Sequence, residues 1–300
     1  MQNVALPPKI IQGIDKLNKN FIWGSLENKK KIHLIGWRKI TKAKEEGRVG
    51  IHAAKPKNTA LLAKLNLKFH AEKSSLWVRV LTNKYRRQGN NPRSISSYSS
   101  CSPTWAGLKK GVDIFSKGSK WLVGKNSILS LWFDKWLNIG TLRSLISGPL
   151  NKGEDNLMLK DISGFFGWNW EGLSFEFPAQ IQLEIKATPL PFSNQGGDRL
   201  FWYSSPNGDF KLKEAYRLAN WDDNNKVGHT FRGEWVWKVQ YLPKIKFFLW
   251  KCYHHSLSIQ TVMSKRGMDI PFLCPMCNNA PETILHTLRD CPQHKCFGIH

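Results

Sequence analysis

Four residues near the carboxyl end restrict this chain more than any other feature. They are Cys274, Cys277, His286 and Cys291, at the spacing Cys-x2-Cys-x8-His-x4-Cys. Two thiols separated by two residues can turn onto one ion through a tight knuckle, and Pro275 between them favours that turn. Pro281 suits the first turn of a helix, because the N–H it lacks would be unpaired there. A helix over about 281–290 would carry Ile284, Leu285 and Leu288 inward and present His286 to the knuckle, with Cys291 closing the set. Thiolates and imidazole in a closed set of four select tetrahedral Zn2+ over hard cations. Four protein ligands leave no position for a reactive water, so the expected ion is structural. Cys296 or His294 could replace Cys291 through a longer excursion of the chain. The spacing excludes a retroviral-type knuckle, whose middle gap is shorter, and a two-zinc ring domain, which needs twice as many ligands.

Charge narrows the partner. Lysine and arginine number 45 against 22 acidic residues, a net charge of +23. An excess of that size favours a polyanion, nucleic acid first. No basic amphipathic helix with a clean apolar face speaks for a membrane surface. Nor does any apolar run reach the about 18 residues of a spanning helix. Residues 1–8 lack a charged start followed by an apolar core and are not expected to act as a signal peptide. The six cysteines then read as reduced thiols inside a cell, three of them in the metal set.

Three hundred residues with a 41% hydrophobic share can bury one large core or two ordinary ones. Ile10, Ile11, Ile14, Leu17 and Phe21 recur at helical spacing, as do Leu61, Leu62, Leu65 and Phe69, and then Leu76, Trp77, Val80 and Leu81. Residues 90–103 read as a serine-rich loop, and 105–115 as a further helix. Trp121-Leu122-Val123, the turn Gly124-Lys125-Asn126 and Ile128 to Trp132 suggest a β-hairpin. A second turn, Pro206-Asn207-Gly208-Asp209, lies between short apolar runs. Helices should follow from Pro243 and from about Ser258 to Arg266, the latter stopped by Gly267. The expected class is α+β, mostly helical. Residues 1–140 would form a basic helical region with a β-hairpin, 141–197 a weakly structured connector, and 198–300 a small α+β unit ending in the zinc site.

Basic clusters mark candidate nucleic-acid contacts: Lys29, Lys30 and Lys31; Arg38, Lys39, Lys42 and Lys44 around Trp37; and Lys84, Arg86 and Arg87. Lysines neutralise phosphates, and an exposed indole such as Trp37 can stack on a base. Nothing specifies base edges, so RNA or DNA would be held by its backbone with little sequence preference. Trp202, Trp237 and Trp250, set among Phe and Leu, read instead as core. No catalytic constellation accompanies these clusters. Asp222-Asp223 precedes Asn224-Asn225-Lys226 and reads as a solvated turn, and no spaced set of carboxylates is available for paired metal ions.

Four blocks in fixed order carry a family likeness: Asn20-Phe21-Ile22-Trp23-Gly24 through Lys31-Ile32-His33-Leu34; Glu45-Glu46-Gly47 through Ala60-Leu61-Leu62-Ala63-Lys64-Leu65; Lys120-Trp121-Leu122-Val123-Gly124 through Leu131-Trp132-Phe133-Asp134-Lys135-Trp136; and the carboxyl-terminal unit. In that unit Asp198, Trp202, Gly208-Asp209-Phe210, Ala215-Tyr216, Trp237, Pro243, Lys244, Phe248 and Trp250 precede the Cys/His set, with Glu282 inside it. Over nearly its whole length the chain resembles the region downstream of the polymerase in plant LINE-type (non-LTR) retrotransposon reverse transcriptases. Its last third resembles the reverse transcriptase zinc-binding domain. The resemblance implies a non-catalytic, zinc-binding fragment of a polyprotein in an intracellular, nuclear setting. Its expected role is to hold RNA or DNA beside a polymerase domain.

Overall fold

The computed structural model describes residues 2–24, 32–41, 49–85, 101–164, 167–170, 172–174, 176–189, 196–221 and 233–295. The first half contains helices α1 (Pro8–Trp23), α2 (Trp37–Ile40), α3 (Ala54–Ala71), α4 (Leu76–Tyr85) and α5 (Pro103–Gly118), then strand β1 (Ser119–Leu122). Next come α6 (Leu142–Leu145), α7 (Leu159–Ile162), the strands β2 (Ser163–Gly164) and β3 (Gly167–Trp168), and α8 (Ala179–Ala187). The last third has β4 (Arg199–Trp202), α9 (Leu212–Ala219), α10 (Trp235–Lys238), α11 (Pro243–Tyr253), α12 (Gln260–Ser264) and, after a π turn at His286–Asp290, α13 (Pro292–Lys295). The expected α+β, mostly helical class holds. Packing groups the residues into two discontinuous units, Met1–Pro7 with Lys55–Trp221 and Pro8–Ala54 with Asp222–His300.

In the first unit α5 begins where its sequence directs. Ser102 accepts the Trp105 N–H at 3.3 Å and Pro103 occupies the first turn. Its other end is closed by Lys135, whose ammonium donates to the Ser116 carbonyl at 2.7 Å. Burial, with Lys120 nearby, lowers the Lys135 pKa. Helices α3 and α5 approach closely because Gly111 lacks a side chain, and a Cβ there would overlap the Leu62 backbone. Buried Asn66 bridges them, donating to the Leu62 and Leu108 carbonyls at 3.0 and 2.9 Å. Trp105, Leu108, Leu62 and Phe69 fill the space on one side of this pair. Trp202, Ile114, Ala215 and Tyr216 fill it on another.

The expected hairpin does not form. Asn126 does turn, with φ at +53°, yet its two flanks find other partners. Strand β1 pairs antiparallel with β4, Ser119 opposite Trp202 and Leu122 opposite Arg199. Residues 129–131 bond instead to 157–159, through Leu131 N to Leu157 O and Leu159 N to Leu129 O, both 2.9 Å. Asp198 fixes the exchange by accepting the Gly124 and Ile128 N–H groups at 3.0 and 3.1 Å. Residues 141–187 are likewise no loose connector. Leu142, Leu159, Ile162, Phe177, Ile181 and Ile185 are buried with Trp132 and Trp136 in one core. Their apolar residues sit on short turns and helices, too brief to show a period. The indole N–H groups of Trp132 and Trp136 are satisfied by the Glu154 and Leu131 carbonyls.

The second unit packs Trp23 of α1, Leu34, Ile35 and Ile40 against Val236 and Trp250. Pro243 opens α11, and Phe247 stacks on Trp250 at 5.6 Å between ring centres. Arg266 reaches back to the Leu34 carbonyl at 2.5 Å. Helix α12 closes at Ser264, two residues earlier than expected, and Gly267 follows at φ +82° with its N–H on the Ser264 carbonyl. No helix of the described residues is long and apolar enough to cross a membrane.

Candidate metal centre

The knuckle is built on a short antiparallel turn. Cys274 N donates to the Ala280 carbonyl at 2.8 Å, Glu282 N to Phe272 at 2.9 Å, and Leu273 bridges Pro281. Pro281 therefore lies in an extended pairing rather than in a helix. Asn278 N closes onto the Cys274 carbonyl at 2.9 Å, and Asn278 takes φ +51°, which asparagine tolerates better than most residues.

The helix that follows is wider than expected at its end. Cys291 N donates to the His286 carbonyl at 2.8 Å, a five-residue π turn. In a regular α-helix residues five apart point about 140° away from each other. The wider turn brings His286 and Cys291 toward one side, a placement of π turns often seen at functional sites. It also overturns part of the expected face: Leu285 and Leu288 point to solvent, while His286 is buried. Thr283 supports the turn by accepting the His286 N–H at 3.1 Å.

Ligand atoms of Cys274, Cys277, His286 and Cys291 lie within 4.8 Å of one another. The Cys274 and Cys291 sulfurs are 3.9 Å apart, and Cys277 Sγ is 3.3 Å from His286 Nε2. A tetrahedral Zn2+ with Zn–S near 2.3 Å and Zn–N near 2.0–2.1 Å sets such edges at about 3.8 and 3.6 Å. The donor set and its spacing fit zinc. A disulfide, with sulfurs roughly 2.0 Å apart, does not fit. The backbone N–H of Cys277, joined by that of Met276, lowers the Cys274 thiol pKa; the N–H groups of Asn279 and Ala280 do the same for Cys277. Amides aimed at both sulfurs favour thiolate, the form that binds metal. The ion would cross-link the knuckle to the π turn, with no open coordination position. Cys291 thus completes the set; Cys296 lies outside the described residues.

Sequence reasoning missed the supporting groups. Glu282 is one: its Oε2 accepts the Gln260 N–H at 2.5 Å, and its carbonyl accepts Thr261 Oγ1 at 2.6 Å. It caps α12, whose own preceding residue, Ile259, offers no side-chain acceptor. Its position between the ligands was visible, but its acceptor role was not. Glu282→Ala is expected to cost about 1–2 kcal/mol, the range of a lost helix cap. Hydrogen exchange should quicken over Gln260–Ser264 while zinc stoichiometry stays at one. Unchanged exchange there would show the cap to be idle.

The proposed nucleic-acid contacts are distributed differently. Lys39 and Lys84 are exposed, Lys84 lying 5.4 Å from the Tyr85 ring centre. Trp37 is half-buried against the second unit's core, with Lys19 Nζ 5.4 Å above its ring and its indole N–H buried without a partner among the described residues. It is not the open stacking surface expected of it. Lys29, Lys30, Lys31, Lys42, Lys44, Arg86 and Arg87, the side chain of Arg38, and the Asp222-Asp223 turn lie outside the described residues. Trp202 and Trp250 are buried and Trp237 packs on the core, as expected.

A closed Cys3His set on a knuckle and a π turn defines a structural metal-binding domain. The family model described as zinc-binding in reverse transcriptase matches residues 210–297, which contain the whole set. An Arabidopsis thaliana protein provisionally named as a ribonuclease H protein is 31% identical over 296 residues, 97% of this chain and 48% of its own length. An uncharacterized mitochondrial protein of the same plant is 30% identical over 118 residues, 39% of this chain and 76% of its own. No solved structure matches. Residues 210–297 of the chain form a reverse transcriptase zinc-binding domain, and the chain spans about half the length of the first relative.

Proposed function

We propose that this chain is a non-catalytic, nucleic-acid-binding fragment of a retrotransposon reverse transcriptase polyprotein. It holds RNA or DNA with little sequence preference, and the polymerase domain is its partner in the nucleus. The observation that carries the reading is the net charge of +23 on a chain of this family. A charge of that size draws phosphates and releases their condensed counterions. The zinc site supports the reading only as scaffold, since its four ligands leave nothing open for chemistry.

Titration with unrelated single-stranded and duplex oligonucleotides at several salt concentrations tests it. Log affinity should fall with log salt by roughly 0.7 per phosphate contact on single strands and 0.9 on duplex. Replacing Arg38, Lys39, Lys42 and Lys44 together with Gln should flatten the slope by roughly three units if they form one track. Absence of salt-dependent binding by the parent chain would overturn the reading. A protein-interaction module would then lead, favoured by the face of α1 on which Leu17 is 70% and Phe21 88% exposed.

A further inference from the structure

A cleft of about 640 Å³ opens on the first unit, and none of the basic residues picked out in the sequence is among the residues that line it. Its walls come from the end of α3, the turn after β1, and β4 with the turn that follows it. We propose that this cleft binds a single-stranded nucleic-acid segment, seating one or two nucleotides; the proposal rests on the nucleic-acid reading above and gives it a place.

Three cations reach the cleft from three separate chain segments: Lys73, Lys125 and Arg199. Lys125 makes no ion pair among the described residues, and Arg199 meets Asp209 only at 4.0 Å with both side chains largely exposed. Such an exposed pair is weak and exchanges readily for a phosphate. The other carboxylate, Asp198, is already engaged by two backbone N–H groups, which offset its charge toward a ligand. The walls are also aromatic. Trp121 packs partly on the first unit's core but, unlike Trp37, also lines this open cleft, with Lys73 Nζ 5.8 Å from its ring centre. A cation beside an indole offers phosphate neutralisation next to a base-stacking face, the pairing that single-strand sites use. The volume falls within the roughly 300–1,000 Å³ typical of ligand clefts. A rigid duplex is too wide to enter such a space, which is why a single strand is the ligand. An acidic peptide would satisfy the cations but not the indole.

The test uses the full zinc-loaded chain and a fluorescent mixed-sequence single-stranded oligonucleotide. The variant K73Q/K125Q/R199Q is compared with K152Q/K160Q/K244Q, which removes three exposed lysines elsewhere. Each must keep the parent's circular dichroism and zinc content. The cleft variant should lose about two units of salt slope, so that affinity at 0.1 M salt falls roughly a hundredfold, while the control changes little. Ultraviolet cross-linking of a 5-iodouridine oligonucleotide should mark the peptide containing Trp121. If the parent binds but both variants lose equally, or the cross-links fall only elsewhere, the cleft is overturned and the nucleic-acid reading stands. If the parent shows no salt-dependent binding, both fall. A polyglutamate peptide that binds through the cleft, with oligonucleotide affinity unchanged in the cleft variant, would also overturn it.

Discussion

Cys277→Ser is expected to leave the reduced chain without stoichiometric zinc and without order from about residue 270 onward. The physical reason lies in what that segment buries. Phe272, Met276, Leu285 and Leu288 are all more than half exposed, whereas the buried side chains are Cys274, His286 and Cys291. The ligands are themselves the core of this segment, so no apolar packing can substitute for the ion. Structural zinc contributes on the order of 10–16 kcal/mol in small finger peptides, far above the reserve of one short antiparallel turn. Metal analysis should find less than one-tenth of an equivalent (about 0.1) bound, an expectation that follows from the loss of a thiolate ligand. Limited proteolysis should cut within 270–295 and spare helices α3 and α5. Cys296→Ser should keep its zinc, because Cys291 already fills the fourth position. Stoichiometric zinc in the Cys277 variant would sink the structural assignment.

The second large effect belongs to Trp202. Its side chain is fully buried, lies against Phe210 at 4.7 Å between ring centres, and rests where a Cβ on Gly118 would overlap the indole. Large-to-small substitution of a buried tryptophan costs about 3–5 kcal/mol. One term runs the other way, because its indole N–H is buried without a hydrogen-bond partner among the described residues. Removing an unsatisfied donor recovers part of its desolvation cost, about 1–3 kcal/mol, which moves the expected loss for Trp202→Ala to the lower end, near 3 kcal/mol. Urea unfolding of the full chain would read it as a lowered midpoint for the unit holding β1 and β4. A change under about 1 kcal/mol would mean that the site collapses around the vacancy.

The metal site was legible because its information is local. Four ligands within 18 residues fix one ion whatever the rest of the chain does, and their chemistry allows few alternatives. What escaped was how they converge. A π turn leaves no sequence period of its own, so a regular helix was expected, with Leu285 and Leu288 on the wrong side. The hairpin failed for the opposite reason. Gly124-Lys125-Asn126 is a real turn, but β1 takes its partner from residues 199–202, across a separation no local pattern encodes. Charge raised the expectation of a polyanionic partner without saying where it would sit. Trp37 stood among lysines in sequence yet is half-buried, while Lys73, Lys125 and Arg199 converge only through folding.

The interleaving of the two units bears on how such a chain can be shortened. The family match starts at residue 210, beyond β4, and the second unit's core depends on Trp23, Leu34, Ile35 and Ile40 from the other end of the chain. A truncation at about residue 198 would strip β4 of its strand partner β1, remove Gly118 from beneath Trp202, and strip the apolar cover from Val236 and Trp250. The remnant would keep its zinc ligands while presenting a bare strand edge and two exposed core faces, features that promote self-association. A chain shortened to its last third should therefore be sticky and short-lived even when every metal ligand survives.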